Sequence, residues 1–314
     1  MSVTRAQDAR SPGQQKQFRK PKAQSRRFRA GVAFLIPALI ILAIWVFYPA
    51  FYALWISFTN STGLNQPEFV GLKNYARIFT DPDTRGAIVN TLVYAVGFIP
   101  LVIATAIGMA VLLNRKDLPL RGMFRTVIFL PFVISMAVAA LSFSFLLDPS
   151  TGIIPYWFEQ IFGRAMPDLL HSTTWAMPTV IFVAVWKTFG YFMVIFIAGL
   201  QGVPEEQYEA AHLDGAKAWG RFWHVTLPGL RPTMTYVIIL AANFAFQAFD
   251  QIYIMTAGGP QRHTETIVYR VYTEGFTNFR QGYAASLSFV LMVITMIVGV
   301  IQLTINRRQE RDMA

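Results

Sequence analysis

Residues 209–228, EAAHLDGAKAWGRFWHVTLP, form a polar, helix-prone stretch set between two long apolar runs at 175–200 and 233–256. Runs of about 20 apolar residues are long enough to cross a bilayer, so the stretch between them reads as a handle on the wet side of a membrane protein. Pro204 suits the first position of a helix, where its missing N–H costs nothing, and Glu205 and Glu206 suit the positive end of the helix dipole. Asp214-Gly215 is a turn signal; a second short helix is predicted from Trp219 to Val225, with Leu227-Pro228 closing it. Ala210 and Ala211 expose little side chain, so a partner surface can approach the backbone, and Glu209 offers a carboxylate to a basic or amide group opposite.

Working outward, further apolar runs lie at 31–58, 86–113, 122–147 and 281–305. The chain is therefore predicted to be an all-α integral membrane protein with six transmembrane helices, the handle (201–232) lying between helices four and five. The first run exceeds the roughly 7–15 residues of a signal-peptide core and no small-residue cleavage site closes it, so it is expected to remain as an anchor. Pro37, Pro49, Pro100, Pro131 and Pro178 fall in or near the spans, and kinks are expected there. With the N-terminus inside, the inner segments hold about 18 basic residues against roughly seven in the others, which places both termini in the cytoplasm. Residues 148–174, with Trp157, are expected to carry a short interfacial helix.

Hydrophobic residues make up 54% of the 314 and charged residues 14%, far more apolar surface than one soluble core buries. The net charge of +10 is concentrated in residues 1–30, a Gln- and Ser-rich basic segment predicted to be a disordered cytoplasmic tail; residues 306–314 form the other tail. Basic residues directly before an apolar span match the positive-inside rule and anionic lipid headgroups, so nucleic acid is not the expected partner. Absence of cysteine excludes disulfides and thiolate chemistry, and the four histidines have no metal-ligand spacing, so no metal and no catalytic residue is expected.

The spans carry polar residues in patterns. Tyr236, Asn243, Gln247, Asp250 and Gln251 fall within an arc of about 100° on span five. Amides and a carboxylate at that spacing match the hydroxyls of a sugar or polyol, although each residue is equally well explained as a bond between helices. Lys187 lies near the middle of span four, with Tyr191 one turn on; an unpaired ammonium there costs on the order of 3 kcal/mol, so it needs a partner or water. Asp250 is the candidate partner, and an ion pair and substrate contact both remain open. Asn90, Tyr94, Ser135 and Ser142 are milder polar positions, read as packing.

The form EAA, two residues, DGA, then Phe222 and Leu227-Pro228 resembles the signature of the membrane subunits of binding-protein-dependent ABC importers, in particular the carbohydrate-uptake permeases of maltose and glycerol-3-phosphate type. Tyr48-Pro49 with Trp55, residues 69–75 (FVGLKNY) and residues 256–260 (TAGGP) agree, so the likeness covers about residues 31–305. The resemblance implies a prokaryotic inner-membrane permease whose Glu209, Ala210, Ala211, Asp214 and Gly215 couple to a separate ATPase. It implies as partners two ATPase subunits, a second permease and an extracytoplasmic solute-binding protein, and no cofactor on this chain, with ATP and Mg held by the ATPase. No GxxxxGK[ST] loop occurs in the sequence, in keeping with a separate ATPase. The alternative is an ion- or proton-coupled secondary transporter using Lys187 and Asp250.

Overall fold

A computed structural model of the chain describes residues 34–115 and 117–312. The predicted disordered tail, 1–30, lies outside these residues. The chain divides into two compact units at Ala53/Leu54. The first described helix, α1, covers Phe34–Ile56; after it come α2 (Lys73–Thr80), α3 (Pro82–Leu113), α4 (Arg121–Val133), α5 (Met136–Leu146), α6 (Ile153–Phe162) and α7 (Ala176–Gln201). The handle contributes α8 (Glu205–Leu213) and α9 (Ala218–Arg221), and the remainder folds as α10 (Arg231–Phe246), α11 (Asp250–Met255), α12 (Ile267–Tyr272) and α13 (Gln281–Asp312). Five helical segments are long and apolar enough to cross a membrane, or six if the bent pair α4–α5 is one span. All six predicted runs are found among them.

α7 is buried on most of its surface and packs against α3, α4, α5, α10 and α11. On α3 the residues Tyr94, Phe98, Val102, Ala106 and Ala110 are buried and recur every fourth position, forming one ridge. Gly190 lets α7 approach α4 so closely that a Cβ there would collide with the Ile128 carbonyl. The C-terminal ends of α3 and α7 lie together beside α8, since Asn114, Gln201, Glu205 and Tyr208 line one cavity.

Two interruptions of the spans matter most. The third run is broken just after Pro131, where a kink is expected: Ile134 and Ser135 are extended, and α4 and α5 meet at 92°. Pro131 weakens the last turn of α4 by freeing a carbonyl, and the Ser135 hydroxyl accepts from the Val138 N–H to start α5. The fifth run is interrupted at Gln247–Phe249, between α10 and α11.

The second arm of the handle closes at Leu227–Gly229 as expected, and the turn residue Leu230 separates it from α10, which starts at Arg231. Unexpected is the π turn Phe222–Thr226 that precedes the stop. The Pro228 ring clashes with a normally placed helical carbonyl four residues back, and widening the turn before it relieves the clash. The same arrangement occurs in α1, where the π turn Ala43–Phe47 also ends two residues before a proline, Pro49. The predicted short helix near Trp157 is α6. α13 runs on to Asp312, beyond its apolar stretch ending at Ile301.

Candidate functional site

Both breaks open onto one cavity of ≈ 420 Å³. Tyr94 and Phe98 of α3, Met136 of α5, Ala184, Lys187 and Thr188 of α7, and the interrupted segment from Asn243 to Gln251, apart from Ala245 and Phe246, border it. Backbone without helical bonds is tolerated at membrane depth only where protein or a cavity surrounds it. Here the freed Ala248 carbonyl accepts from the Thr266 hydroxyl at 3.2 Å. Of the residues predicted from span five, Asn243, Gln247 and Asp250 are exposed to the cavity, while Gln251 is buried and donates to the Tyr94 hydroxyl at 2.8 Å. Tyr236 does not line the cavity.

Lys187 is 8% exposed and forms no ion pair with Asp250, although both line the cavity. Its ammonium donates to the Phe132 carbonyl at 3.4 Å and lies 4.9 Å from the centre of the Phe132 ring. Phe132 is in the last turn of α4, whose final carbonyls have no partner within the helix. Lys187 therefore caps the broken helix at its negative end and gains a cation–π contact. Tyr191 stands outside the cavity and stacks on the same Phe132 ring, centroids 4.4 Å apart.

The handle is a helix–turn–helix. Pro204 is the N-cap of α8 rather than its first residue, with Glu205 and Glu206 in the first turn. Gly215 has φ +77°, a left-handed conformation that glycine adopts without strain, and the Ala216 N–H returns to the Ala211 carbonyl at 2.9 Å. The Tyr208 hydroxyl donates to Thr226 at 3.1 Å, tying α8 to the π turn. Glu209, Ala210, Asp214 and Gly215 are exposed and Ala211 is half-buried. Around them Leu213 is 87% and Trp219 72% exposed, an apolar surface contiguous with the acidic side of α8.

At the other end of α3 lies a charge network that sequence reading missed. Arg270, 5% exposed, meets Asp81 at 3.1 Å, Glu265 at 3.2 Å and Glu274 at 3.1 Å, with Asp83 at 3.7 Å. Arg262 pairs with Asp83, and Arg280 reaches Glu274 at 3.3 Å. Burial alone would raise the Asp81 carboxyl, but the Thr84 hydroxyl and the Arg270 charge outweigh it and hold it below the usual carboxylate range. Burial likewise disfavours the Arg270 cation, yet Glu265 and Glu274 more than offset this. The Arg270–Glu274 spacing of four residues was the one local signal available. Asn90 is equally structural, donating to the Arg262 and Glu265 carbonyls at 2.7 and 3.1 Å.

Among the described residues no cluster of three or more metal-ligating side chains occurs. Residues 101–311 match the family described as "Binding-protein-dependent transport system inner membrane component". The probable ABC transporter permease protein YurN of Bacillus subtilis is 36% identical over 273 residues, 86% of this chain and 93% of that protein. The sn-glycerol-3-phosphate transport system permease protein UgpA of Agrobacterium fabrum is 34% identical over 272 residues, 85% and 90% of the two chains. In fold the chain is similar to one from a bacterial alginate ABC transporter crystallised in complex with an alginate pentasaccharide-bound periplasmic protein, with TM-score 0.80, 21% identity, and 91% and 96% of the chains covered. The residues matched by the family include the handle and the segments of both broken spans, and the chain belongs to the inner-membrane component family of binding-protein-dependent transport systems.

Proposed function

We propose that this chain is a permease subunit forming half of the translocation path for a sugar or related polyol, glycerol phosphate included, driven by ATP hydrolysis on separate subunits. The observation that carries the coupling is a short connection: the second arm of the handle ends at Gly229, one turn residue, Leu230, joins it to α10, and the far end of α10 brings Asn243 and the following Gln247 to the cavity. A push on the handle would thus reach the path through α10, biasing an equilibrium between two accesses. Glu209, Ala210, Ala211, Asp214 and Gly215 form the surface an ATPase grips, and Mg and ATP stay on that partner. The handle and both termini face the cytoplasm, a second permease supplies the other half of the path, and an external binding protein delivers the solute.

The solute class follows from the cavity. Its volume lies within the roughly 300–1,000 Å³ of small-molecule sites. Asn243 and Gln247 each donate and accept, and Asp250 accepts, a set suited to hydroxyls. Lys187 and Asp250 contribute opposite charges, and the relatives' named solutes, glycerol phosphate and alginate, are hydroxyl-rich. A proton-coupled carrier based on Lys187 and Asp250 would leave the exposed handle without a role.

The test is affinity purification in mild detergent followed by reconstituted uptake, comparing the native chain with Glu209→Lys. The expected result is co-purification of an ATPase and a second permease, with ATP-driven uptake lost on charge reversal. Full uptake by the chain alone, indifferent to Glu209→Lys, would overturn the reading.

A further inference from the structure

α12 starts at the break in the fifth run, where the Thr266 hydroxyl holds the Ala248 carbonyl, and continues through the π turn Thr273–Thr277 to the exposed residues before α13. Two aromatic stripes meet between it and α11: Phe249 and Tyr253, four residues apart, and Tyr269, Tyr272 and Phe276, at i, i+3 and i+7 of a helix. Their rings touch one after another. Phe249, which borders the 420 Å³ cavity, stacks on Tyr253 with centroids 5.4 Å apart and 22° between the planes. Tyr272 meets these two rings at 5.3 and 5.2 Å, and Phe276 stacks on Tyr272 at 5.5 Å and 29°. Tyr253 is 44% and Phe276 68% exposed, so the row offers open ring surface from near the cavity out to the loop. Arg270 and Glu274 of the same segment are locked in the charge network, which fixes the stripe in place.

We propose that this row is a stacking track that leads the solute into the cavity from the face away from the handle, and that the solute is a ring sugar. The inference rests on the permease reading above and narrows it, since an open-chain polyol or glycerol phosphate has no flat face to stack. The axial C–H groups of a pyranose carry partial positive charge and suit the negative face of an aromatic ring. Its hydroxyls lie at the rim, where Asn243, Gln247 and Asp250 can bond them once the ring reaches the cavity. The track points away from the handle because α10 spans the distance between handle and cavity and α11 follows it. A headgroup belt holds tyrosine and tryptophan at one depth. This row instead starts at the cavity and leaves it ring by ring.

Uptake by the complete transporter, reconstituted with its partner subunits and binding protein, tests this. Three probes are supplied: hexoses with their disaccharides, the open-chain alditols of the same hexoses, and sn-glycerol-3-phosphate. Ring sugars are expected to accumulate in preference to the other two. Tyr253→Ala should raise KM for the preferred sugar about tenfold, the upper range of one aromatic contact, and Tyr253→Phe, which keeps the ring face, should restore it. Trp157→Ala, at an exposed aromatic on α6 outside the row, should have no effect. Uptake of alditols or glycerol phosphate equal to that of ring sugars would overturn the track. So would a Tyr253→Ala effect matched by Trp157→Ala, which marks a membrane belt, or loss of the second permease from purified Tyr253→Ala complex, which marks an assembly contact. Failure to accumulate any ring sugar, with ATP hydrolysis still sensitive to Glu209→Lys, would sink the track and leave the permease reading standing; hydrolysis and uptake both indifferent to Glu209→Lys would sink that reading as well.

Discussion

Arg270 and Lys187 are both cations withdrawn from water, and their surroundings differ in kind. Arg270 meets four carboxylates, two of them, Glu265 and Glu274, almost fully buried, and ties α12 to the start of α3. Lys187 has a carbonyl and an aromatic face, and its nearest carboxylate stays out of bonding reach across a cavity. A charge-compensated network holds one arrangement of helices, because removing any member strands the others, even though the Arg270 Nε itself has no partner. An unsaturated set retains bonding capacity for a solute, and it sits where two spans are broken. The difference separates the part of the molecule that stays together from the part that has room to change.

Four predictions can break or sharpen this contrast. The largest effect is expected for Arg270→Met, which would leave buried carboxylates uncompensated and destabilise the chain by about 3–5 kcal/mol; thermal unfolding in detergent measures it. Should the loss be below about 1 kcal/mol, the network is not the anchor described. Lys187→Met should cost less than about 1.5 kcal/mol in the same assay, since only one long bond to a carbonyl and a cation–π contact go, and the cost of holding the ammonium out of water goes with them. It should nevertheless lower solute uptake severalfold; a stability loss matching that of Arg270→Met would erase the contrast.

A smaller effect is expected at the cavity's edge. Gln251→Ala removes the bond to Tyr94 and should destabilise by roughly 1 kcal/mol, with Tyr94→Phe behaving alike because they share that bond. Additive losses in the double variant would show the two residues to be independent. The smallest concerns acid. Asp81 has a depressed folded-state pKa, so its contribution is fully present above the ordinary value of 3.8 and is lost as pH falls through the lower folded value. Unfolding measured over that acidic range should show a slope that Asp81→Asn flattens, while near neutral pH the slope is unchanged.

The spans were legible because a bilayer demands about 20 apolar residues in a row, a property of the local sequence. The handle was legible too, from Glu205 and Glu206 in a first turn and Gly215 at a left-handed turn. Helical spacing brought Asn243, Gln247 and Asp250 to one side, and the cavity is on that side. The same spacing included Tyr236, which lies away from the cavity, because the wheel ignores depth along the span. Proline at 228 was legible as a stop signal, and the helix ends one residue after it; the π turn that precedes it had no signal in the sequence. Pro131 announced a kink near Ile134–Ser135, but not that Lys187, 55 residues away from Phe132, caps the end it creates.

By itself, the sequence determined that this chain is helical, that it lies in a membrane and that a polar handle separates two spans, since each follows from composition and periodicity within short windows. Only the tertiary structure decided which polar groups are satisfied. Arg270 finds Asp81 across 189 positions and Gln251 finds Tyr94 across 157, whereas Lys187 and Asp250 come to one cavity without touching. Satisfaction of a buried charge depends on distances of a few ångströms between distant segments, and no local pattern encodes them.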